Sequence, residues 1–144
     1  MNNPSVDIVE MLEGAGDSSG IGGTGAMVFG IDLFIAREPV KPDNCITIFD
    51  TPGFPPWLGL DGETGYEYPS IQVRIRNKKY IDGWNLIEEI KNSLHGRHQE
   101  TWNGTLYSII YCSSGPALLD WDDNGNCRLV VNFNIQRREQ LDSV

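Results

Sequence analysis

No stretch of this sequence approaches the roughly 18 consecutive apolar residues that a membrane-spanning helix requires. Its beginning, Met1-Asn2-Asn3-Pro4, also lacks the basic and apolar blocks of a signal peptide, so the expectation is a protein neither inserted in a membrane nor exported. Cysteine is scarce. Cys45, Cys112 and Cys127 form no C-x-x-C pair and fall within apolar, strand-like runs, where they read as reduced core residues of a cytosolic product. Cations are outnumbered, 11 Lys plus Arg against 20 Asp plus Glu for a net charge of −9. Duplex affinity comes largely from cations that neutralise phosphates, so this shortage argues against a general nucleic-acid binder.

What is present suits one globular domain. The chain has 144 residues, within the ordinary span of a single core, with 40% hydrophobic, 10% aromatic and 22% charged residues. The charge is uneven: residues 1 to 69 hold 11 acids and 2 bases, whereas residues 70 to 144 hold 9 of each. The acidic half is either a solvated surface or a face that steers a basic partner or spaces identical subunits.

Periodicity divides the chain into elements. Pro4 followed by Ser5 as N-cap opens a short helix to Glu13, stopped by Gly14, with Val6, Val9 and Leu12 on one side. Residues 14 to 25 hold six glycines in twelve positions, a loop composition. Phe29, Ile31, Leu33 and Ile35 alternate as a first strand, and Cys45 to Phe49 makes a second that ends at Asp50-Thr51-Pro52-Gly53. The stretch from 52 to 69 is rich in proline and aromatics, and loops of such length are commonly functional. Ile71, Val73 and Ile75 alternate with Gln72, Arg74 and Arg76 in a third strand. Asp82 then opens a long helix to His95, with Ile87, Ile90 and Leu94 as its stripe beside Leu86 and Gly96 as its stop. Thr105 to Cys112 and Cys127 to Gln136 pair as a final hairpin. The predicted class is α+β: a single domain over 1–144 with an antiparallel or mixed β-sheet of about five strands, and one long and one short helix on one face. The opposite face would carry Asp32, Thr47, Arg74, Arg76, Arg128, Asn132, Asn134 and Gln136, either as solvated sheet or as a subunit contact.

Several catalytic motifs nearly appear. Asp50-Thr51-Pro52-Gly53 has the D-x-x-G form of a GTPase, but the Gly-rich stretch has no Lys to hold phosphates, and a turn explains the tetrapeptide. Gly16-Asp17-Ser18-Ser19-Gly20 echoes a serine-protease signature, which needs a histidine base held by a carboxylate. The two histidines, His95 and His98, fall instead at the exposed end of the long helix, where a cationic ring favours the dipole. Asp120-Trp121-Asp122-Asp123-Asn124-Gly125 opens like a calcium loop, yet position 12 is Val131 rather than Glu, and Asn124-Gly125 between strands signals a hairpin turn. The reading is of a non-enzyme, with no catalytic residue, no metal site and no cofactor.

The order of elements carries a further observation. Tyr68-Pro69-Ser70-Ile71-Gln72-Val73-Arg74-Ile75-Arg76 leads to a helix ending Leu94-His95-Gly96, then Ser114-Gly115-Pro116 and Asn132-Phe133-Asn134-Ile135-Gln136-Arg137-Arg138. Over roughly residues 28 to 138 this resembles the small tail-completion proteins of tailed bacteriophages, a family of minor capsid or tail terminator proteins. There, an aromatic-Pro-x-Ile/Val-Gln-Val-Arg strand precedes a helix ending near Leu-His-Gly. The resemblance implies a virion protein of the tail and neck, assembled in the host bacterial cytoplasm. It implies a homo-oligomeric ring, usually of six copies, seated on the head-proximal end of the tail tube, ending tube polymerisation and offering a docking face to the head–tail connector. DNA would pass through the lumen without being specifically bound, and no membrane is involved. Arg74, Arg76, Lys78 and Lys79 are candidates for one subunit or tail-tube interface, and Phe54, Trp57, Tyr66 and Tyr68 for another. The alternatives are a head-closure or connector protein and, from another class, a small metal- or nucleotide-dependent enzyme.

Overall fold

A computed structural model describes residues 1–14, 28–56 and 65–139. The Gly-rich stretch from 15, with its Gly16-to-Gly20 motif, and residues 57–64 of the Pro/aromatic segment, Trp57 among them, lie outside the described residues.

Helix α1 spans Pro4–Glu13 and begins one turn position earlier than its composition suggested. Asn3, not Ser5, is the N-cap: its side chain accepts from the Ser5 N–H at 2.8 Å, and Pro4 fills the first helical position, where no N–H is needed. Ser5 is thereby free to donate through Oγ to Asp50 at 2.9 Å. Gly14 closes the helix in the left-handed conformation at φ 71°. The buried face is Ile8, Met11 and Leu12 with Val9, whereas Val6 is rotated outward. The expected Val6-Val9-Leu12 stripe therefore sits on the flank of the true one.

Six strands follow in one sheet: β1 (Leu33–Ile35), β2 (Cys45–Phe54), β3 (Tyr68–Asn77), β4 (His98–Trp102), β5 (Thr105–Trp121) and β6 (Cys127–Glu139), in spatial order β1-β2-β3-β6-β5-β4. Only β1 against β2 is parallel, so the sheet is mixed. Helix α2 (Tyr80–Leu94) joins β3 to β4 and lies with α1 on one face, over Ile46, Ile48, Ile71, Val73, Ile75, Leu129, Val131, Phe133 and Ile135. The strict alternation of β3 and β6 predicts this division, because successive residues of a strand point to opposite faces. The α+β class holds, and Ile87, Ile90 and Leu94 are buried as their spacing predicts. Gly83 lets α2 approach the sheet: a Cβ there would stand 2.8 Å from Leu129 Cδ1.

Four strands differ from expectation. Strand β1 keeps only Leu33–Ile35 of the alternating Phe29-to-Ile35 run: the Ile31 and Asp32 N–H groups turn back to the Val28 carbonyl and the Asp32 carboxylate accepts from the Val28 N–H, which leaves Phe29 and Ile31 exposed. Strand β4 is additional, and the two-residue turn Asn103-Gly104 joins it to β5 with φ of 51° and 75°, the left-handed pair that tight hairpins need. Strand β2 runs through Asp50-Thr51-Pro52-Gly53 to Phe54, with a bulge between Thr51 and Phe54. Gly53 makes this possible, since a Cβ there would come 2.0 Å from the Tyr68 carbonyl oxygen. Strand β5 continues past Cys112 to Trp121 by three register shifts around Gly115-Pro116, which absorb a proline that an unbroken ladder could not accept.

Candidate interaction surfaces

The face of the sheet away from the helices carries a hydrogen-bonded polar layer. Ser70 donates to Asn134 Oδ1 at 2.6 Å, and Gln72 Nε2 to Asn132 Oδ1 at 3.1 Å. Arg74 donates to Gln72 Oε1 at 3.0 Å, Asn132 to Ser114 Oγ at 2.8 Å, and Asn134 to the Tyr111 hydroxyl at 3.3 Å. The register directly pairs Ser70 with Asn134 and Gln72 with Asn132, so short polar side chains meet across β3 and β6. Arg74 also lies over the Phe49 ring, 4.8 Å from its centroid, while its Nε is buried without a hydrogen-bond partner. The result is a pre-ordered polar platform. Thr47, expected on this face, is fully buried between its strand neighbours Phe34 and Arg74.

Arg76 has a different task. Its guanidinium donates to Glu38 at 2.9 Å and to the carbonyls of Asp43, Val40 and Pro42 at 3.0, 3.2 and 2.7 Å, with 6% of the side chain exposed. It holds the connector between β1 and β2 in shape. Glu38 is shared with Arg128, which also reaches Asp120 at 3.2 Å. Lys78 and Lys79 follow immediately and are both exposed, Lys78 lying 3.4 Å from Asp43. Of the four candidate cations, Lys78 and Lys79 are exposed, Arg74 is half-buried and Arg76 is an internal strut.

Phe54 is 67% exposed at the end of β2, against Tyr68 in the register. With Pro56, Glu67, Tyr68 and Pro69 it lines an open cleft of about 190 Å³. Tyr66 lies beneath Arg138, 5.9 Å from ring centroid to guanidinium carbon. Phe54, Tyr66 and Tyr68 thus gather at one end of the sheet, and the Lys78-Lys79 corner follows the other end of β3.

The near-motifs dissolve on inspection of their bonds. Asp50 accepts from Ser5 Oγ and from Asn3 Nδ2 at 2.8 Å, so it anchors the start of α1 rather than facing a phosphate. Asp122 accepts from the N–H groups of Asn124 and Asn126 at 2.9 and 2.8 Å, and the Asn126 backbone bond chiefly holds its carboxyl below the usual carboxylate range. It closes the β5–β6 turn. His95 caps α2 only through its backbone N–H; its ring turns to the sheet and accepts from the Cys112 N–H at 2.9 Å through Nδ1. His98 opens β4. Neither ring caps the helix as expected, because the chain bends onto β5 directly after Leu94. Among the described residues no three His, Cys, Asp or Glu side chains are grouped to hold a metal ion. No helix among them is long and apolar enough to cross a membrane. Burial pushes the Cys45 thiol up to about 11, so it is no nucleophile.

One cluster escaped the sequence reading. Asp7 of α1, fully buried, accepts from the Tyr107 hydroxyl and from Asn103 Nδ2 at 2.7 Å. Arg137 completes it, donating to Tyr107 at 3.2 Å, to the Asn2 carbonyl at 2.8 Å and to Glu67 at 3.2 Å. Desolvation first, then the bond to Asp7, pushes the Tyr107 hydroxyl well above its ordinary value. An acid within the first turn of α1 and an arginine at a core-facing position of β6 were the only traces in sequence.

These surfaces form a domain with a polar sheet face, a cationic corner, an aromatic end and no assembled catalytic group among the described residues. The sequence model for the bacteriophage tail terminator proteins matches residues 20–139. The chain belongs to that family. It is a structural phage tail protein, a component of the virion that works through contacts with other tail or head proteins. No curated protein matches this terminator.

Proposed function

We propose that this terminator forms a ring of identical copies on the head-proximal end of the tail tube, stops tube growth there and presents a face to the head connector. The observation that carries this is the separation of its exposed patches within one chain of the terminator family. The Lys78-Lys79 corner lies at the α2 end of β3, and the Phe54-Tyr66-Tyr68 cluster at the opposite end of that strand. A closed ring needs two different surfaces per copy, and a two-sided adaptor needs one end for each neighbour. The polar layer supports this reading, since side chains already fixed by one another lose little entropy on docking. Arg74, Lys78 and Lys79, with Arg76 as an internal strut, are assigned to one contact surface, and Phe54, Tyr66 and Tyr68, with Trp57 from its place in the sequence alone, to the other.

The function is tested by locating the protein. With a small tag on the chain and gold-labelled particles viewed by electron microscopy, the label is expected at the head-proximal end of tails that have not yet met a head. Label confined to heads without tails would overturn this reading and move the protein to the connector side of the joint.

A further inference from the structure

On the outer flank of α1 the structure holds an apolar cleft with an acidic rim. Val6, Val9, Phe29 and Ile35 line it, Glu10 and Glu13 edge it, and its volume is about 170 Å³. Clefts for small-molecule ligands run to about 300–1,000 Å³, so this one is sized for a side chain. Phe29 is 52% exposed and Val6 36%. The carboxylates are fixed at the rim: Glu13 accepts from the Phe29 N–H at 3.1 Å and Glu10 from Asn103 Nδ2 at 2.7 Å. Neither has a cationic partner among the described residues, so both charges remain available.

The same chain carries the complement elsewhere. Lys78 and Lys79 are exposed at the entrance to α2, and the next two residues, Tyr80 and Ile81, expose 37% and 65% of their surface. Helix α2 packs through Gly83, Ile87 and Ile90, and the Tyr80 ring lies 6.3 Å from that of Trp84. This leaves Ile81 among the most exposed aliphatic side chains of the described residues. One surface therefore offers apolar room with negative charge around it, and the other offers apolar side chains with positive charge beside them. They share no residue, as a head-to-tail contact requires.

We infer that neighbouring copies of this chain meet by seating the Tyr80-Ile81 corner of one copy in the α1 cleft of the next, with Lys78 and Lys79 against Glu10 and Glu13. This rests on the ring reading above and names its subunit contact. It also gives the uneven charge of the sequence a purpose, since the acidic first half supplies the cleft and the cation-bearing second half supplies its occupant. Complementary charge at the rim would set register and reject wrong partners, while the seated apolar groups supply the affinity.

The test is a charge exchange between copies, in a phage with this gene interrupted and the protein supplied from plasmids. Glu10→Lys with Glu13→Lys on one chain, and Lys78→Glu with Lys79→Glu on another, should each lower infectious yield at least about tenfold, because every contact then pairs like charges. Supplying both variants together should restore the yield: every contact between unlike copies again pairs opposite charges. The four changes on one chain should restore it too. Variants that act as wild type, or a loss that neither arrangement repairs, would overturn the contact, the latter pointing to a different tail or head protein in the cleft. Folding is kept separate by Phe29→Cys with Ile81→Cys. Oxidation of assembled particles should link that double variant, and neither single variant, into a ladder of multimers, and absence of the ladder would equally overturn the contact. If the wild-type chain is itself a single copy on the tail, the ring reading fails. If it is multiple and the exchange fails, only this contact does.

Discussion

The least expected feature at the residue scale is a charged group sealed in the core. Asp7 has no solvent exposure and is retained because Tyr107, Asn103 and Arg137 satisfy it. Burying a carboxylate without such partners would cost several kcal/mol, and removing one partner leaves part of that cost exposed. Tyr107→Phe should therefore destabilise the domain by about 1–3 kcal/mol, read from chemical denaturation. The same change should alter the alkaline limb. Because the folded state raises the Tyr107 hydroxyl, its contribution is complete below the unfolded value of about 10 and drains away as pH rises beyond it. Wild-type melting temperature should fall above about pH 10 more steeply than that of Tyr107→Phe; parallel curves would mean that the hydroxyl is not held as described. Little of this cluster was legible in sequence. Asp7 falls in the first turn of a helix and Arg137 in the run that ends β6, and pairing across 130 residues of chain leaves no local pattern. Arg76 misled for a related reason. Alternation correctly put it on the polar face, but not the connector whose carbonyls fold over it.

Elements were read best where burial is one-sided. Strands β3 and β6 and helix α2 have strict periods, and their faces are as the spacing predicts. The boundaries of β2 and β5 were missed because proline and glycine usually end strands, whereas bulges carry these two through. Strand β4 was missed because His98–Trp102 lies at a sheet edge with little apolar content, although Asn103-Gly104 was a usable hairpin signal that went unread. The two glycines separate these causes. Gly104→Ala meets open space and only the left-handed backbone, so its cost should be about 1 kcal/mol. Gly115→Ala adds a Cβ 2.8 Å from the Val130 carbonyl oxygen, and should cost roughly 2 kcal/mol or more by the same measurement. Equal costs would show that the bulge yields freely. At the other end of the sheet, Phe54→Ser with Tyr68→Ser removes the exposed aromatic cluster. It should lower the yield of joined particles about tenfold or more while shifting the melting temperature of the isolated protein by only a few degrees, since Phe54 is largely exposed and Tyr68 only half-buried. Unchanged particle yield would remove that end from the contact surface.

For the molecule as a whole, the residues that would carry function are not a pocket but a distribution: polar platform, cationic corner and aromatic end on the sheet, and an acidic cleft on the flank of α1. Composition revealed the charge imbalance, and the order of elements revealed the family. The cleft itself had no sequence signal, because only the fold places Val6, Phe29 and Ile35 together. Termination is a statement about length, and tail length in the absence of this protein tests it most directly. Lysates of a phage with the gene interrupted, viewed by electron microscopy beside the same lysates complemented by the intact gene, should contain overlong tubes and unattached filled heads, both cured by complementation. Tails of normal length beside emptied heads would contradict termination.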